Sequence, residues 1–343
     1  MSDAPIVIVP YRSFGTADML FVKGRVLHEK PVPTAEAERS AWRNLRHALR
    51  RIDSDEVPGA RIGIHFDDQE WEVIADSEGY FTQSLPLHKP VEKTDAWYAV
   101  QLHLLEPALG DPQPHAEAQV LVPPPTARYG VISDIDDTIL ETHATSLLHS
   151  ALVTLLENAA TRTPFPGVAA LYQALQAGAN GNRRNPIFYV SSSPWNLYDF
   201  LVEFMQINGI PAGPVFLRDY GLSTLTSALS HQAKLKPMHW LLDTYADLSF
   251  VLMGDSGQRD PELYSQLLHD YPGRIKAIYI RDVSGDKRDA AVDALAEEMA
   301  VLGVPMIRAA NSTAMAESAA ELGLVTRAAV ERIRRVSEKR PAP

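Results

Sequence analysis

Three closely spaced aspartates carry the clearest chemical signal in the sequence. The apolar run at 129–132 is followed by Asp134, Asp136, Asp137 and Thr138. An apolar run that ends in polar residues is typical of a buried strand, and ligands of an open α/β sheet bind beyond the carboxyl ends of its strands. Carboxylates this close together repel one another unless a cation neutralises them, and Mg²⁺ prefers such oxygen ligands. The pattern therefore indicates phosphoryl transfer to an aspartate nucleophile.

Two further apolar runs end in polar residues that could complete such a site. The run at 187–190 ends in three serines, of which Ser191 is the first, and the run at 250–253 leads to Asp255 and then to Asp260. A serine hydroxyl and a helix N-terminus can hold phosphoryl oxygens, and the acidic pair can bind the cation. Taken alone, the serines could be a helix cap and the Gly-Asp pair a simple turn. The three strand ends together favour one site.

The motif Asp134-x-Asp136-x-Thr138 resembles the first motif of the haloacid dehalogenase superfamily of phosphatases. The longer string Ser-Asp-Ile-Asp-Asp-Thr, at 133–138, is similar to the catalytic domain of the actin-patch-protein phosphatidate phosphatases of fungi and their bacterial relatives. The similarity continues in three further segments, at 189–197, 217–221 and 254–260. The resemblance implies an α/β fold: a Rossmann-like parallel sheet with helices on both faces and a small helical cap.

The resemblance also implies a role for each residue of the first two motifs. Asp134 would attack phosphorus and form an aspartyl-phosphate, and Asp136 would protonate the leaving alkoxide and then activate the hydrolytic water. Thr138 would order the loop through its hydroxyl group, whereas Asp137 is equally well explained as an outward-facing acid. Ser191 would bind a phosphoryl oxygen that is not transferred. An aspartate at position 136 favours a hydrolase over the related ATPases, which carry no acid there.

A phosphoryl group in transfer spreads negative charge over three oxygens, so the site needs a fixed cation beside Mg²⁺. Lys234 is the candidate, because it opens a helix that leads to the strand before Asp255. The resembling family places a histidine directly before this lysine, whereas here two residues separate His231 from Lys234. Lys236 is therefore an alternative.

The resemblance implies a metal site and a substrate site built from several motifs. The expected Mg²⁺ ligands are the acids of the first and last motifs: Asp134, Asp136 through its carbonyl group, Asp255 and Asp260. Asp260 would either bind the ion or orient a water on it. The expected substrate-binding residues are Ser192, Asn196 and Arg218. Arg218 and Arg281 could each bind phosphate through two hydrogen bonds or be held in a structural pair with an acid.

Three consecutive prolines, at 123–125, mark the main boundary in the chain, because they cannot continue a helix or a central strand. Residues 1–126 alternate in the manner of strands, which predicts a small β-sandwich-like accessory domain with one inserted helix. Residues 127–343 alternate strands with helices, which predicts an α/β phosphatase domain with C-terminal helices. The segment between Ile139 and Pro164 would form the cap.

The element boundaries in this second domain follow from the apolar periodicity. Its predicted strands are 129–134, 186–191, 214–217, 249–253 and 275–281, with a shorter one at 304–307. Its predicted helices are 168–177, 195–207, 234–245, 261–269 and 287–301, followed by one or two helices between 313 and 338.

The helix predicted at 35–52 in the first domain carries five arginines on the surface left by its apolar stripe. They are Arg39, Arg43, Arg46, Arg50 and Arg51. A solvated helix face explains these residues most simply. The alternative is a docking surface for an anionic partner such as lipid head groups.

Composition excludes several classes of function. The chain has 343 residues, a formal net charge of −11 and no cysteine. The acidic balance disfavours nucleic acid as a partner, and the lack of cysteine excludes disulfides, thiolate metal sites and a cysteine nucleophile. We find neither a signal-peptide pattern nor an apolar stretch long enough to span a bilayer. We therefore expect a cytoplasmic protein that meets lipid only at a membrane surface.

These observations predict a Mg²⁺-dependent phosphomonoesterase, and the resemblance implies phosphatidate as the substrate, giving diacylglycerol and phosphate. A soluble phosphomonoester, such as a sugar phosphate or a phosphoprotein, is the alternative substrate, and the acidic composition favours it. A third interpretation is a non-catalytic protein whose β domain binds a partner. The complete set of motif residues argues against the third interpretation.

Overall fold

The computed structural model describes residues 4–28, 55–92, 96–108, 112–139, 164–182, 184–218, 232–284 and 286–338. The chain forms two compact units. One comprises residues 1–125, 196–203 and 213–215, and the other comprises residues 126–195, 204–212 and 216–343. The predicted arginine-bearing helix at 35–52 and the insertion expected to form a cap, at 140–163, lie outside the described residues.

The first unit contains a mainly antiparallel sheet. Its strands are β1 (Ile6–Gly15), β2 (Met19–His28), β3 (Asp55–Glu56), β4 (Arg61–Phe66), β5 (Gln69–Ile74), β6 (Tyr80–Pro86), β7 (Trp97–Glu106) and β8 (His115–Leu121). The strand order is β3-β2-β1-β8-β7-β4-β5, and β6 pairs with β2. Strand β1 pairs in parallel with β8. Alternate side chains of these strands, such as Leu20 and Val22 in β2, meet in one apolar core, as the period of two predicts.

The second unit contains a parallel sheet and the described helices. Its strands are β9 (Gly130–Ser133), β10 (Ile187–Pro194), β11 (Val215–Arg218), β12 (Phe250–Asp255), β13 (Ile275–Arg281) and β14 (Met306–Ala309). Its helices are α1 (Val168–Ala177), α2 (Tyr198–Ile207), α3 (Gln232–Thr244), α4 (Asp260–Asp270), α5 (Asp286–Val301), α6 (Ser312–Glu321) and α7 (Arg327–Glu338). Helix α2 is included here by its position in the chain, although its first residues group with the first unit.

The strand order in this sheet is β11-β10-β9-β12-β13-β14, so the first strand in sequence lies at the centre. Strands β10 and β12 both pair in parallel with β9. Every residue of β9 is buried, which explains why this strand is apolar rather than alternating. The chain extends the sheet first on one side of β9 and then on the other. The point between β9 and β12 is therefore a topological switch point, where open α/β sheets bind their ligands.

The observed elements of the second unit confirm the predicted ones to within a few residues, with one informative difference. Strand β10 continues to Pro194, and the next residues form a short 3-10 helix, Trp195–Leu197, before α2 begins. The three serines therefore belong to a strand and do not cap a helix. The C-terminal segment forms two helices, α6 and α7, with Gly323 in the left-handed conformation between them. None of the described helices is long and apolar enough to cross a membrane.

Candidate active site

The loop after β9 folds back on itself at the carboxyl edge of the sheet. Asp134 is fully buried directly after the strand, and its backbone N–H donates to the carbonyl of Met253 in β12 at 2.9 Å. Asp137 has a φ of 54°, a left-handed conformation that aspartate adopts more readily than most residues. The turn lets the Asp136 carbonyl and the Asp134 carboxylate approach a common point, described below.

Two serines of β10 hold the side chain of Asp136. Its Oδ2 atom accepts hydrogen bonds from Ser191 Oγ at 2.7 Å and from Ser193 Oγ at 3.0 Å. Alternate residues of a strand share a face, so Ser191 and Ser193 point to the same side, whereas Ser192 is exposed. Ser193 is a contact that the motif comparison missed, and strand alternation is the signal that could have found it.

Lys234 lies inside the site and Lys236 does not. The ammonium group of Lys234 is 2.8 Å from Asp134 Oδ1 and 2.9 Å from Asp260 Oδ1, and the side chain is buried. Burial alone would lower the pKa of Lys234, but the adjacent carboxylates of Asp134 and Asp260 outweigh it and raise that pKa. The lysine therefore stays charged. Lys236 is exposed on the same helix.

Asp255, the last residue of β12, and Asp260, the first residue of α4, have different surroundings. Asp255 Oδ1 accepts from the backbone N–H of Gln258 at 2.8 Å, and its Oδ2 atom lies 3.1 Å from the side-chain amide nitrogen of Gln258. Asp260 instead binds Lys234 through Oδ1 and lies 3.3 Å from the backbone nitrogen of Asp255 through Oδ2. Gly254 permits this arrangement, because a Cβ at that position would lie 2.6 Å from Asp260 Cβ. Its lack of a side chain thus allows β12 to pack closely against Asp260 at the start of α4.

Gln258 occupies the middle of the cluster, a position that no pattern in the sequence predicted. Its Nε2 atom lies 3.2 Å from Asp134 Oδ2, 3.3 Å from the Asp136 carbonyl oxygen and 3.1 Å from Asp255 Oδ2. Its Oε1 atom accepts from Lys234 Nζ at 3.2 Å. Three of the expected metal-ligand atoms therefore converge on one point.

The charge and geometry of the cluster fit a bound cation. Oxygen atoms of Asp134, Asp255 and Asp260 all lie within 4.8 Å of one another, and Lys234 forms ion pairs with two of these buried carboxylates. Burial, and then the neighbouring charge of Asp260, raises the pKa of Asp255 to about 7. Burial also raises the pKa of Asp134, which Lys234 opposes. Carboxylates that are this buried and this close gain from a divalent cation, and the convergent oxygens are ligands of the type that such an ion takes.

Arg281 supports the loop through a backbone contact and an aromatic ring. Its Nε atom donates to the carbonyl of Thr138 at 2.9 Å, and its guanidinium lies 4.1 Å from the centre of the Phe165 ring. The Thr138 hydroxyl, in contrast, is buried without a hydrogen-bond partner among the described residues. The loop is therefore held through the Thr138 carbonyl, whereas the sequence suggested its hydroxyl. Arg281 is buried in this structural contact.

The remaining predicted substrate-binding residues lie in β10, in the 3-10 helix after it and in β11. Arg218 is the last residue of β11, at the edge of the sheet, and is half-buried. Asn196 lies in the 3-10 helix after β10. Their roles, and that of Ser192, stay predictions.

The part of the chain that contains this cluster is similar to known proteins. Residues 129–282 match the family described as phosphatidate phosphatase APP1, catalytic domain. The chain is 33% identical over 162 residues to the phosphatidate phosphatase APP1 of Saccharomyces cerevisiae, covering 47% of this chain and 27% of the yeast protein. It is 27% identical over 224 residues to an uncharacterised protein of Schizosaccharomyces pombe, covering 63% of this chain and 35% of that protein. The chain thus spans only about a third or less of each relative's length.

Among solved structures, a carbohydrate acetylesterase from Xanthomonas citri aligns with a TM-score of 0.27 and 12% identity, over 79% of this chain and 66% of that one. This likeness is too low to carry an argument about fold or function.

Proposed function

We propose, from the match of residues 129–282 to a phosphatidate phosphatase catalytic domain, that this chain is a Mg²⁺-dependent phosphomonoesterase that hydrolyses phosphatidate to diacylglycerol and phosphate. The observation that carries the proposal is the buried cluster of Asp134, Lys234 and Asp255, located where β9 and β12 meet at a topological switch point. The order of β9–β14 also supports a haloacid dehalogenase-like, Rossmann-type catalytic domain, and the mainly antiparallel sheet of the first unit supports a β-sandwich-like accessory domain over residues 1–126.

In the first step, a carboxylate oxygen of Asp134 attacks phosphorus and the bond from phosphorus to the diacylglycerol oxygen breaks. Asp136 gives its proton to that leaving oxygen. The two serine hydroxyls on Asp136 Oδ2 fix the orientation of this side chain. In the second step, water gives a proton to Asp136 and attacks phosphorus. Phosphate leaves, and the Asp134 carboxylate is restored.

The negative charge on the phosphoryl oxygens in these steps would be stabilised by positive groups in the cluster. Lys234, held by Asp134 and Asp260, would face the phosphoryl oxygens as a permanent positive charge. Bound Mg²⁺, held by Asp134, the carbonyl of Asp136 and Asp255, would neutralise further charge on those oxygens. Asp260 would act indirectly, by orienting Lys234.

A soluble phosphomonoester is the second candidate substrate. The net charge of −11 favours it, because an acidic protein is repelled by anionic lipid surfaces unless a local basic patch binds them. For phosphatidate hydrolysis the protein would work at a membrane surface from the cytoplasm, without nucleic acid as a partner.

The test is a substrate panel with the full chain. Phosphate release should be measured from phosphatidate in mixed micelles and from several soluble phosphomonoesters, with Mg²⁺ and with a chelator. We expect Mg²⁺-dependent release, highest from phosphatidate. Release from the soluble compounds alone would favour the second candidate. A folded protein that releases phosphate from none of them would contradict the proposal.

A further inference from the structure

Gln258 fills the position that the proposed cation needs. We propose that its side-chain amide is a built-in occupant of the metal site, which both Mg²⁺ and the substrate phosphate must displace. This inference rests on the proposed metal-dependent function and adds a residue to which no role in that function has been given.

The neighbours of the amide fix its orientation. Lys234 has only N–H donors, so the atom of Gln258 that faces it is the carbonyl oxygen, at 3.2 Å. The amide nitrogen then faces three acceptors on Asp134, Asp136 and Asp255 at 3.1–3.3 Å. An Mg²⁺ ion takes such oxygens at about 2.1 Å, so the ion and the amide nitrogen cannot share this position.

The backbone of Gln258 has hydrogen bonds of its own, which do not depend on its side chain. Its N–H donates to Asp255 Oδ1 at 2.8 Å, and its carbonyl oxygen accepts from Arg288. The side chain is half-buried, between the exposed residues Gly257 and Arg259. Rotation about the side-chain bonds can therefore move the amide out of the cluster without moving the loop. The displacement needs no change in the fold.

Displacement of the amide also changes Lys234. An ammonium group has three N–H donors, and here its nitrogen contacts Asp134 Oδ1 in an ion pair and donates hydrogen bonds to Asp260 Oδ1 and Gln258 Oε1. When Gln258 leaves, one donor becomes available for a phosphoryl oxygen. A cation and a phosphate thus require the same movement, and whichever binds first makes the second bind more tightly.

The test is calorimetric titration of Mg²⁺ into the full-length protein and its variants, with no substrate present. Gln258→Ala and Gln258→Met both remove the N–H donors, and Gln258→Met keeps most of the side-chain volume. Gln266→Ala, at an exposed position of α4, is the matched control. We expect both Gln258 variants to bind Mg²⁺ about tenfold more tightly than the native protein, a difference of about 1.4 kcal/mol. We also expect them to unfold at a lower temperature in chelator, because the carboxylates lose a donor.

A second titration uses inorganic phosphate with and without Mg²⁺. In the native protein Mg²⁺ should tighten phosphate binding more than it does in Gln258→Ala, since the variant has no amide to displace. Unchanged or weaker Mg²⁺ binding in both Gln258 variants, with the native protein binding normally, would overturn the inference and leave the proposed function intact. Absence of Mg²⁺ binding by the native protein at millimolar concentration would instead contradict the proposed metal dependence itself.

Discussion

Replacement of Lys234 by methionine tests the electrostatic centre of the site. Methionine keeps most of the length of the side chain but removes the ammonium group that lies 2.8 Å from Asp134 and 2.9 Å from Asp260. Both carboxylates are fully buried. Removing one partner of a buried ion pair costs about 3–5 kcal/mol, a large part of the ~5–15 kcal/mol that stabilises a typical native protein. We expect Lys234→Met to lower the free energy of unfolding by about that amount.

The loss should depend on pH in a definite direction. Lys234 opposes the rise that burial causes in the pKa of Asp134, so its removal lets that pKa rise further. Consider a carboxyl group whose pKa in the folded protein lies above its value of about 3.9 in the unfolded protein. Such a group makes the protein less stable as the pH rises through the interval between the two pKa values. The destabilisation by Lys234→Met should therefore be smaller at pH 5 than at pH 8, and should grow by at most about 1.4 kcal/mol per pH unit.

Guanidinium unfolding followed by tryptophan fluorescence, in chelator and at both pH values, measures this effect. Lys236→Met is the control, because the same substitution two residues away removes an exposed charge and should change stability by no more than about 0.5 kcal/mol. Metal-dependent turnover should be lost in Lys234→Met and kept in Lys236→Met. Equal stability and turnover in the two variants would refute the assignment of Lys234 as the fixed cation.

Three further predictions concern the loop, its support and the first domain. Asp136→Asn should slow turnover and accumulate phosphorylated protein, because an amide cannot activate the hydrolytic water; rapid turnover in a stopped-flow phosphate assay would contradict this. Arg281→Met should destabilise the protein by about 1–3 kcal/mol and reduce kcat, since it leaves the buried Thr138 carbonyl unpaired; wild-type values in denaturation and kinetics would show that the contact does not support the loop. The third prediction concerns Arg43, Arg46 and Arg50 of the first domain. Replacing all three by glutamate should reduce binding to anionic vesicles, in a salt-dependent way, without affecting turnover of a soluble phosphomonoester. Unchanged vesicle sedimentation would favour a simple solvated helix.

Strand ends were the most predictable feature of this protein. Apolar runs that stop at an acid or a serine predicted β9, β10 and β12 closely, because a buried parallel strand has to be apolar on both faces. Helical phase also held a signal that distinguishes the two lysines. Lys234 lies on the same stripe as the buried Met238 and Leu241, and Lys236 does not.

The position of Gln258 could not have been predicted in the same way. Its side chain reaches atoms of three different segments, at Asp134, Asp136 and Lys234. That convergence depends on the conformation of the turn after β12 and on the left-handed Asp137, neither of which follows from periodicity. The contact between Arg281 and a backbone carbonyl could not have been predicted either, because an arginine at a strand end can bind several kinds of partner.

Trapping the covalent intermediate tests the proposed reaction most directly. The full-length Asp136→Asn variant should be mixed with Mg²⁺ and phosphatidate, quenched in acid and reduced with borohydride, which converts an aspartyl-phosphate to homoserine. Mass spectrometry of the peptide that contains residue 134 then reports the site. We predict homoserine at Asp134, dependent on both Mg²⁺ and substrate. Unmodified Asp134 together with phosphate on another residue, or with continued turnover and no covalent species, would contradict the proposal that Asp134 is the nucleophile.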